Sequence, residues 1–307
     1  MKKISRKKIL LVLLLVPLVF VLLVVAGIFV LFPQPIPVEN LVLERTPQQV
    51  ARGRYLVNHV AYCMNCHAER EWDYMAGPIR EGTLGKGANN PVFDREGIYA
   101  ANITPFALKD WSDGEIKRAI TSGLKPDGRP LNPEMPHFTY NHLAEEDVHA
   151  IIAYLRTLPP IDYTPPKAEF SFLLHLAARI LPKPYKPKSL PDANDPVARG
   201  AYLVRLAECR SCHGSDLSGG LTLYVPGGQP LESANITPVP GSGMAAWKEE
   251  EFISLFKMMA DPENQRIEVP KDGPTSVMPW VQYAGLTEED LGAIYAYLRS
   301  LPPVEKH

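Results

Sequence analysis

Cysteine is scarce in this sequence, positive charge is not in excess, and no strand-like alternation of apolar and polar residues surrounds the cysteines. Only four of the 307 residues are cysteine. The formal net charge is −2, and with the five cations of the first eight residues set aside the remainder carries −7. Those cations are Lys2, Lys3, Arg6, Lys7 and Lys8. A nucleic-acid partner is therefore not indicated, because such partners require clustered positive charge.

The longest uncharged run stands near the N-terminus. Residues 9–32 carry no charged side chain and are dominated by Leu and Val. As a helix rising about 1.5 Å per residue they reach roughly 36 Å, enough to span a bilayer. The positive-inside rule keeps the basic segment 1–8 in the cytoplasm and places everything after Phe32 on the far side. The alternative is a cleaved signal peptide, but the run exceeds a signal core of roughly 7 to 15 residues and no small-x-small site precedes Pro33.

The four cysteines form two copies of one pattern. Residues 63–67 read Cys-Met-Asn-Cys-His, and residues 209–213 read Cys-Arg-Ser-Cys-His. C-x-x-C-H predicts covalent haem c, because two thiols at this spacing form thioethers with the vinyl groups while the adjacent histidine gives iron an axial nitrogen. Two covalently bound haem c groups are expected, attached to Cys63, Cys66 and His67 and to Cys209, Cys212 and His213.

Three other uses of paired cysteines fit the pattern less well. Zinc ribbons place their pairs roughly 15 to 20 residues apart, whereas Cys66 and Cys209 are 143 positions apart. A thioredoxin-like redox pair requires a βαβ pattern around C-x-x-C, which neither site shows. Disulfides in an exported chain would leave the histidine after each second cysteine unexplained.

Three further stretches occur twice in the same order, so the chain is predicted to be a duplicated unit. Its length and 46% apolar content are sufficient for two domains, each with a core of its own. The expected divisions are domain 1 at 46–160, a connector at 161–194 and domain 2 at 195–304. The repeated stretches are Arg-Gly-x-Tyr-Leu-Val at 52–57 and 199–204, Ala-Asn-Ile-Thr-Pro at 101–105 and 234–238, and Ala-Tyr-Leu-Arg-x-Leu-Pro-Pro at 153–160 and 296–303.

Each copy is predicted to be mainly helical. Thr46 and Gln49 form a capping box, Ser112 and Glu115 form a second one, and Asp195 begins the first helix of the second copy. Each copy closes on a helix with apolar residues at helical spacing before a Pro-Pro stop. The connector is rich in Pro and Lys, which favours an extended, semi-rigid form.

The connector also contains an apolar-rich stretch at 170–181 that is too short to span a membrane. Burial against the two domains would explain these apolar residues. A helix lying on a membrane surface would explain them as well.

The second axial ligand separates an electron carrier from a haem enzyme with an open iron site. Met135 and Met278 each precede a proline at matching places ahead of the last helix of their copy. Both are predicted as the sixth ligands. His137 and His142 follow Met135 closely and compete with it at the first site. A thioether ligand would raise the reduction potential and leave little room for chemistry at iron.

The motifs follow one another in a set order, which is C-x-x-C-H, Asn-Ile-Thr-Pro, Trp before a helix, Met-Pro and a closing Ala-Tyr-Leu-Arg-Ser-Leu-Pro-Pro. This order resembles that of the cytochrome c subunits of bacterial membrane-bound alcohol, aldehyde and sugar-acid dehydrogenases. The resemblance covers residues 46–303. It implies a mainly α fold of two tandem class I cytochrome c domains behind an N-terminal transmembrane helix. It also implies that Asn-Ile-Thr-Pro lines the haem crevices. Typical members carry three haem domains, whereas two C-x-x-C-H sites stand here. The implied haem ligands are Cys63, Cys66, His67 and Met135, and Cys209, Cys212, His213 and Met278.

The expected role is electron transfer and not catalysis. A single-pass anchor in the bacterial inner membrane would hold the haem domains on the periplasmic side. The expected donor is a dehydrogenase subunit, quinol is a further candidate, and another cytochrome or a terminal oxidase would be the acceptor. The enzyme alternative is a dihaem peroxidase with one open haem, and a purely structural subunit is a second alternative.

Overall fold

The computed structural model describes residues 5–89, 98–167, 171–224, 229–270 and 275–305. Within these ranges the regular structure is helical apart from one two-stranded hairpin and a few isolated bridges, and the predicted mainly α fold is confirmed. The predicted basic segment 1–8 lies partly outside the described residues, because Lys2 and Lys3 are not among them. Phe170, in the predicted apolar stretch of the connector, lies outside it too.

A long apolar helix, α1, leads into the first of two similar sets of helices. Within the described ranges, α1 is the one helix long and apolar enough to cross a membrane, a property that signal sequences share. The elements through the first set are α1 (Arg6–Leu31), α2 (Pro47–Tyr55) with a π-helical turn (Leu56–Val60), α3 (Met64–His67), α4 (Pro105–Leu108), α5 (Asp113–Ser122), α6 (His137–Tyr140) and α7 (Glu145–Leu155).

A connector helix and a second set follow. The hairpin strands β1 and β2 pair antiparallel in the second set. The elements are α8 (Phe172–Ile180), α9 (Pro196–Leu206), α10 (Cys209–His213), β1 (Thr222–Leu223), β2 (Leu231–Glu232), α11 (Gly243–Ala246), α12 (Glu249–Lys257), two 3₁₀ turns (Met258–Ala260 and Asn264–Arg266), α13 (Trp280–Tyr283) and α14 (Glu288–Ser300).

The predicted helix starts are confirmed. Thr46 and Ser112 cap α2 and α5 in capping boxes with Gln49 and Glu115, respectively. The Asp195 carboxylate accepts a hydrogen bond from the backbone of the first turn of α9. Each cap satisfies N–H groups that have no partner inside the helix, a contribution of about 1 kcal/mol.

The first and last helices of each set cross at a glycine, which explains the Arg-Gly repeat. A Cβ added to Gly53 would stand 1.9 Å from the Ala150 carbonyl oxygen of α7. A Cβ added to Gly200 would stand 1.9 Å from the Ala293 oxygen of α14. Only glycine permits this backbone approach, so the same crossing of α2 over α7 and of α9 over α14 positions both C-x-x-C-H segments.

Candidate haem sites

Each cysteine pair lies on one turn of helix, in the same relation to its histidine. Cys63 caps the N-terminus of α3, which contains Cys66 and ends at His67, and α10 contains the second triplet. None of the four cysteines is in a disulfide. Burial raises the pKa of Cys63 to about 12 and that of Cys209 to about 12. The two thiols are thus protonated at neutral pH.

Each C-x-x-C-H histidine is oriented by a backbone carbonyl from the repeated Ala-Asn-Ile-Thr-Pro stretch. His67 Nδ1 lies 2.7 Å from the Ala101 oxygen, and His213 Nδ1 lies 2.8 Å from the Ala234 oxygen. A carbonyl can only accept, so Nδ1 carries the proton and Nε2 presents its lone pair. Burial lowers the pKa of both histidines, which keeps them neutral, the form that binds iron.

The asparagine and threonine of the same stretch hold it in place. The Asn102 side-chain oxygen accepts from Thr104 N at 2.9 Å and from Thr104 Oγ1 at 2.7 Å, while its Nδ2 donates to the Ile161 oxygen at 2.8 Å. Asn235 repeats these contacts with Thr237 and with the Val304 oxygen. The motif therefore ties the histidine-orienting carbonyl to the segment after the last helix. The repetition of the motif marked this stretch but did not indicate that its carbonyl orients the histidine.

The two Met-Pro turns have the same geometry. His137 N donates to the Met135 oxygen and Trp280 N donates to the Met278 oxygen, each at 2.7 Å. Both methionines are partly buried against the core that also contains the cysteine segments. Ser276 holds the second turn through hydrogen bonds from Met278 N and Trp280 Nε1, each 3.1 Å long. Their roles as sixth ligands stay predictions.

The two histidines that compete with Met135 are engaged elsewhere. The His137 ring packs on Gly123, where an added Cβ would stand 2.5 Å from His137 Cδ2. His137 is buried, and burial lowers its pKa to about 4. His142 Nδ1 accepts a hydrogen bond from Lys188 of the connector.

The charges beside the two sites differ at one repeat position. Three residues after His67 stands Arg70, whose guanidinium donates to the Gly77 oxygen at 2.7 Å and lies 4.1 Å from the centre of the Trp72 ring. Arg70 makes no ion pair with a carboxylate among the described residues. The matching residue after His213 is Asp216, an exposed carboxylate that accepts hydrogen bonds from Ser218. A partly buried cation at one site thus corresponds to an exposed anion at the other.

The two sets of helices meet through reciprocal contacts. Tyr202 Oη donates to Asp147 Oδ2 at 2.7 Å, and Tyr55 Oη donates to Asp290 in the opposite direction across the interface. Asp147 and Asp290 are repeat equivalents, as are Tyr55 and Tyr202. The two halves are therefore related by an approximate two-fold axis.

Tyr62, next to Cys63, lies at the interface between the two sets of helices. Burial raises the pKa of Tyr62 well above its ordinary value, and the charges of Cys66, Glu208 and Cys212 act in the same direction. The Tyr62 ring meets the Tyr283 ring edge-on at 5.9 Å. The fold thus brings the two C-x-x-C-H segments to a shared aromatic interface, which sequence reasoning missed.

The chain matches two family models, one for each half. Residues 48–155 match cytochrome c oxidase, cbb3-type, subunit III, and residues 197–302 match cytochrome c. Thiol pairs on one helical turn with an oriented neutral imidazole at both places are the residues that covalent haem requires. Both halves are cytochrome c domains.

Three relatives extend the likeness to most of the chain. The fructose dehydrogenase cytochrome subunit of Gluconobacter japonicus is 30% identical over 82% of this chain and 52% of its own length. The cytochrome c subunit of the quinone alcohol dehydrogenase of Komagataeibacter europaeus is 27% identical over 83% of this chain and 56% of its own. A dihaem c-type cytochrome of Cereibacter sphaeroides is 27% identical over 79% and 83%.

The chain is therefore a dihaem c-type cytochrome, of the type found as cytochrome c subunits of fructose, alcohol and gluconate dehydrogenases. The predicted two covalently bound haem c groups and the predicted resemblance are confirmed by these matches. The chain spans about half the length of the first two relatives.

Proposed function

We propose that this chain is a membrane-anchored electron relay that takes electrons from a dehydrogenase or from quinol and passes them to a downstream cytochrome or terminal oxidase. The observation that carries the proposal is the aromatic interface beside the two C-x-x-C-H segments, where the Tyr62 ring, next to Cys63, meets the Tyr283 ring at 5.9 Å and Tyr283 Oη donates to the Ala207 oxygen, two residues before Cys209. Haem c, when bound, supplies iron that gains and loses one electron. A partner dehydrogenase is supported by the names of the relatives.

The residues of each site act as holders and not as reactants. The cysteines fix the macrocycle, and the Ala101 and Ala234 carbonyls keep each histidine in the tautomer that binds iron through Nε2. We assign Met135 and Met278 as the residues that would supply the sixth ligands of the two haem irons. The engagement of His137 with Gly123 and of His142 with Lys188 supports Met135 over its competitors.

Membrane anchoring is the second part of the proposal. α1 is long enough to span a bilayer. The large apolar residues of α1 from Ile9 through Val24, and Phe29, Val30 and Leu31 at its end, are exposed, as expected of a lipid-facing helix. The haem domains would then stand on the periplasmic side of the inner membrane.

Ligation is tested by the ferric absorption spectrum of the full chain. Met135→Ala and Met278→Ala should each remove about half of the charge-transfer band of Met-ligated haem, since each leaves one iron without its thioether. Met258→Ala, at a half-exposed methionine of the second domain, is the control and should leave the band intact. A band unchanged in Met278→Ala would overturn the assignment, and a wild-type band of half intensity would favour an open, peroxidase-like site.

The partner is tested by purification from detergent-solubilised membranes followed by a reduction assay. A co-purifying flavin or quinoprotein dehydrogenase that reduces both haems in the presence of its substrate is the expected result. Reduction of the isolated chain by quinol alone, at the rate seen in membranes, would make quinol the donor.

A further inference from the structure

The connector helix α8 exposes an apolar face. Phe172 is 57% exposed, Leu173 74% and Ile180 44%, whereas Ala178 on the opposite side is buried. Burial between the domains, one of the two explanations offered by the sequence, therefore does not account for these three side chains. Three large apolar residues on a nine-residue helix are costly to leave in water.

This helix packs against the far end of α1. The Phe172 ring stacks on the Phe29 ring with centroids 6.4 Å apart. Arg179 lies 4.8 Å from the centre of the same ring and its Nη2 donates to the Phe29 oxygen at 3.0 Å. The apolar surface of α8 is thus continuous with that of α1, whose Val30 and Leu31 are 83% and 65% exposed.

The contacts also give the direction of α8. Phe172 and Arg179 are seven residues apart, about 10 Å along a helix, yet both contact Phe29. A helix running alongside α1 would contact successive turns, so the shared contact with Phe29 favours an orientation of α8 across α1. Phe29 lies three residues before the end of the uncharged run, within about 5 Å of its outer boundary.

We propose that α8 is an interfacial helix that lies in the outer leaflet beside α1, with Phe172, Leu173 and Ile180 among the lipid chains. This inference rests on the proposed anchoring by α1. A helix across the end of a spanning helix lies near the plane of the bilayer surface. There its apolar face meets acyl chains and Arg179 is placed at the level of the headgroups.

The second membrane contact fixes the first domain at the surface. Connector residues that follow α8 bind this domain, since Glu145 N donates to the Lys188 oxygen at 2.9 Å and Tyr185 Oη donates to the Leu143 oxygen at 3.0 Å. The segment that follows α1 in the chain also binds this domain, since Arg118 Nη1 donates to the Ile36 oxygen at 2.9 Å. A single spanning helix leaves a domain free to rotate about the membrane normal and to tilt, whereas two contacts limit the tilt.

The test measures the depth of a nitroxide label in the haem-loaded full chain, reconstituted into nanodiscs of phosphatidylcholine and phosphatidylglycerol. Because the native cysteines are bonded to haem, Leu173→Cys supplies the one reactive thiol, and its exposure makes it tolerant of the label. Leu14→Cys, in the middle of α1, reports on anchoring, and Val42→Cys, at a position 84% exposed beyond the anchor, reports on water.

The ratio of oxygen to nickel-chelate collisions should be several-fold higher for the labels at positions 14 and 173 than for the label at position 42. A lipid signal at position 14 with a water signal at position 173 would overturn the interfacial helix and leave the anchor standing. Water signals at both would overturn the anchor itself. Protection of position 173 from both reagents would mean that another protein surface covers α8, which also overturns the proposal.

Discussion

Tyr202 reaches across the domain interface to Asp147, a carboxylate that Arg52 of the same domain already holds in a two-point ion pair. The Tyr202 hydrogen bond is 2.7 Å long, and the Arg52 contacts are 2.9 and 3.0 Å. The side chain of Asp147 is only 1% exposed. Such a buried carboxylate needs each of its partners, because an unmatched buried charge costs several kcal/mol. The interface is therefore coupled to the helix crossing inside each domain.

Tyr202→Phe should weaken this coupling without removing the ring. It deletes the donor to Asp147 and the acceptor for Ala144 N, and we expect the free energy of unfolding to fall by about 1 to 2 kcal/mol. Urea denaturation followed by circular dichroism measures this change. Tyr55→Phe, the two-fold equivalent, should give a similar loss. An effect below the error of the experiment in both variants would mean that the reciprocal contacts do not stabilise the fold.

Gly200→Ala should destabilise the second domain by on the order of 2 to 4 kcal/mol, because the new Cβ would stand 1.9 Å from the Ala293 oxygen and force α9 and α14 apart. Gly53→Ala should do the same to the first domain. Gly27→Ala is the matched control, since a Cβ there meets nothing within 4 Å. Thermal unfolding in detergent gives the comparison, and equal melting temperatures for all three variants would contradict the close crossing.

Glu208→Gln should change how stability depends on pH. Burial raises the pKa of Glu208 above its ordinary value of 4.5, although a hydrogen bond with Thr139 and the charge of Arg205 oppose the rise. Between the ordinary and the raised value the folded protein binds more protons than the unfolded chain, so stability falls as pH rises through this window. The glutamine variant should lack that fall and be more stable than wild type at pH 7.

The control for this variant is Glu250→Gln, at an exposed position on α12. Its urea midpoints measured from pH 4 to pH 7.5 should follow the wild-type curve. A Glu208→Gln curve that also follows wild type would show that the carboxyl carries no penalty.

Arg70→Gln should lower the reduction potential of the first haem. A cation that makes no carboxylate ion pair in the described structure disfavours the more positive ferric state, and its removal at an effective dielectric near 20 costs about 1 kcal/mol, or roughly 40 mV. Asp216→Asn should raise the potential of the second haem by less, because solvent screens the exposed carboxylate. Potentiometric titration of the two haems measures both shifts.

Arg80→Gln, at a residue whose guanidinium pairs with Glu69 at 2.9 Å and is 56% exposed, is the control and should move neither potential appreciably. An unchanged first potential in Arg70→Gln would exclude a tuning role for this guanidinium.

The cysteine and histidine attachments could be predicted because haem attachment depends on the spacing of residues that are neighbours in the sequence. The role of Ala101 could not, since its contribution is a backbone oxygen and any residue has one. The repetition of Ala-Asn-Ile-Thr-Pro marked the place, and the contact between Asn102 and Thr104 explains why those side chains are there. Met135 and Met278 were predicted from the repeated Met-Pro pair, and their ligand roles stay predictions until the spectra are measured.

Contacts between distant segments could not be read from the sequence. Tyr55 and Asp290 are 235 positions apart, and nothing in the repeat says whether each tyrosine binds its own aspartate or that of the other domain. For α8, composition indicated an apolar stretch but not its neighbour, because the stacking of Phe172 on Phe29 depends on how the connector folds back.

The reciprocal pairing of Tyr55 with Asp290 and of Tyr202 with Asp147 has a consequence for the history of the chain. A surface on which residue i meets residue j and j meets i is that of a homodimer with closed symmetry. One ancestral domain bearing this arginine, tyrosine and aspartate would have been able to pair with itself. Fusion of two such domains through the connector would turn a concentration-dependent association into an intramolecular one. Fusion would also allow the two copies to differ, as they do at Arg70 and Asp216.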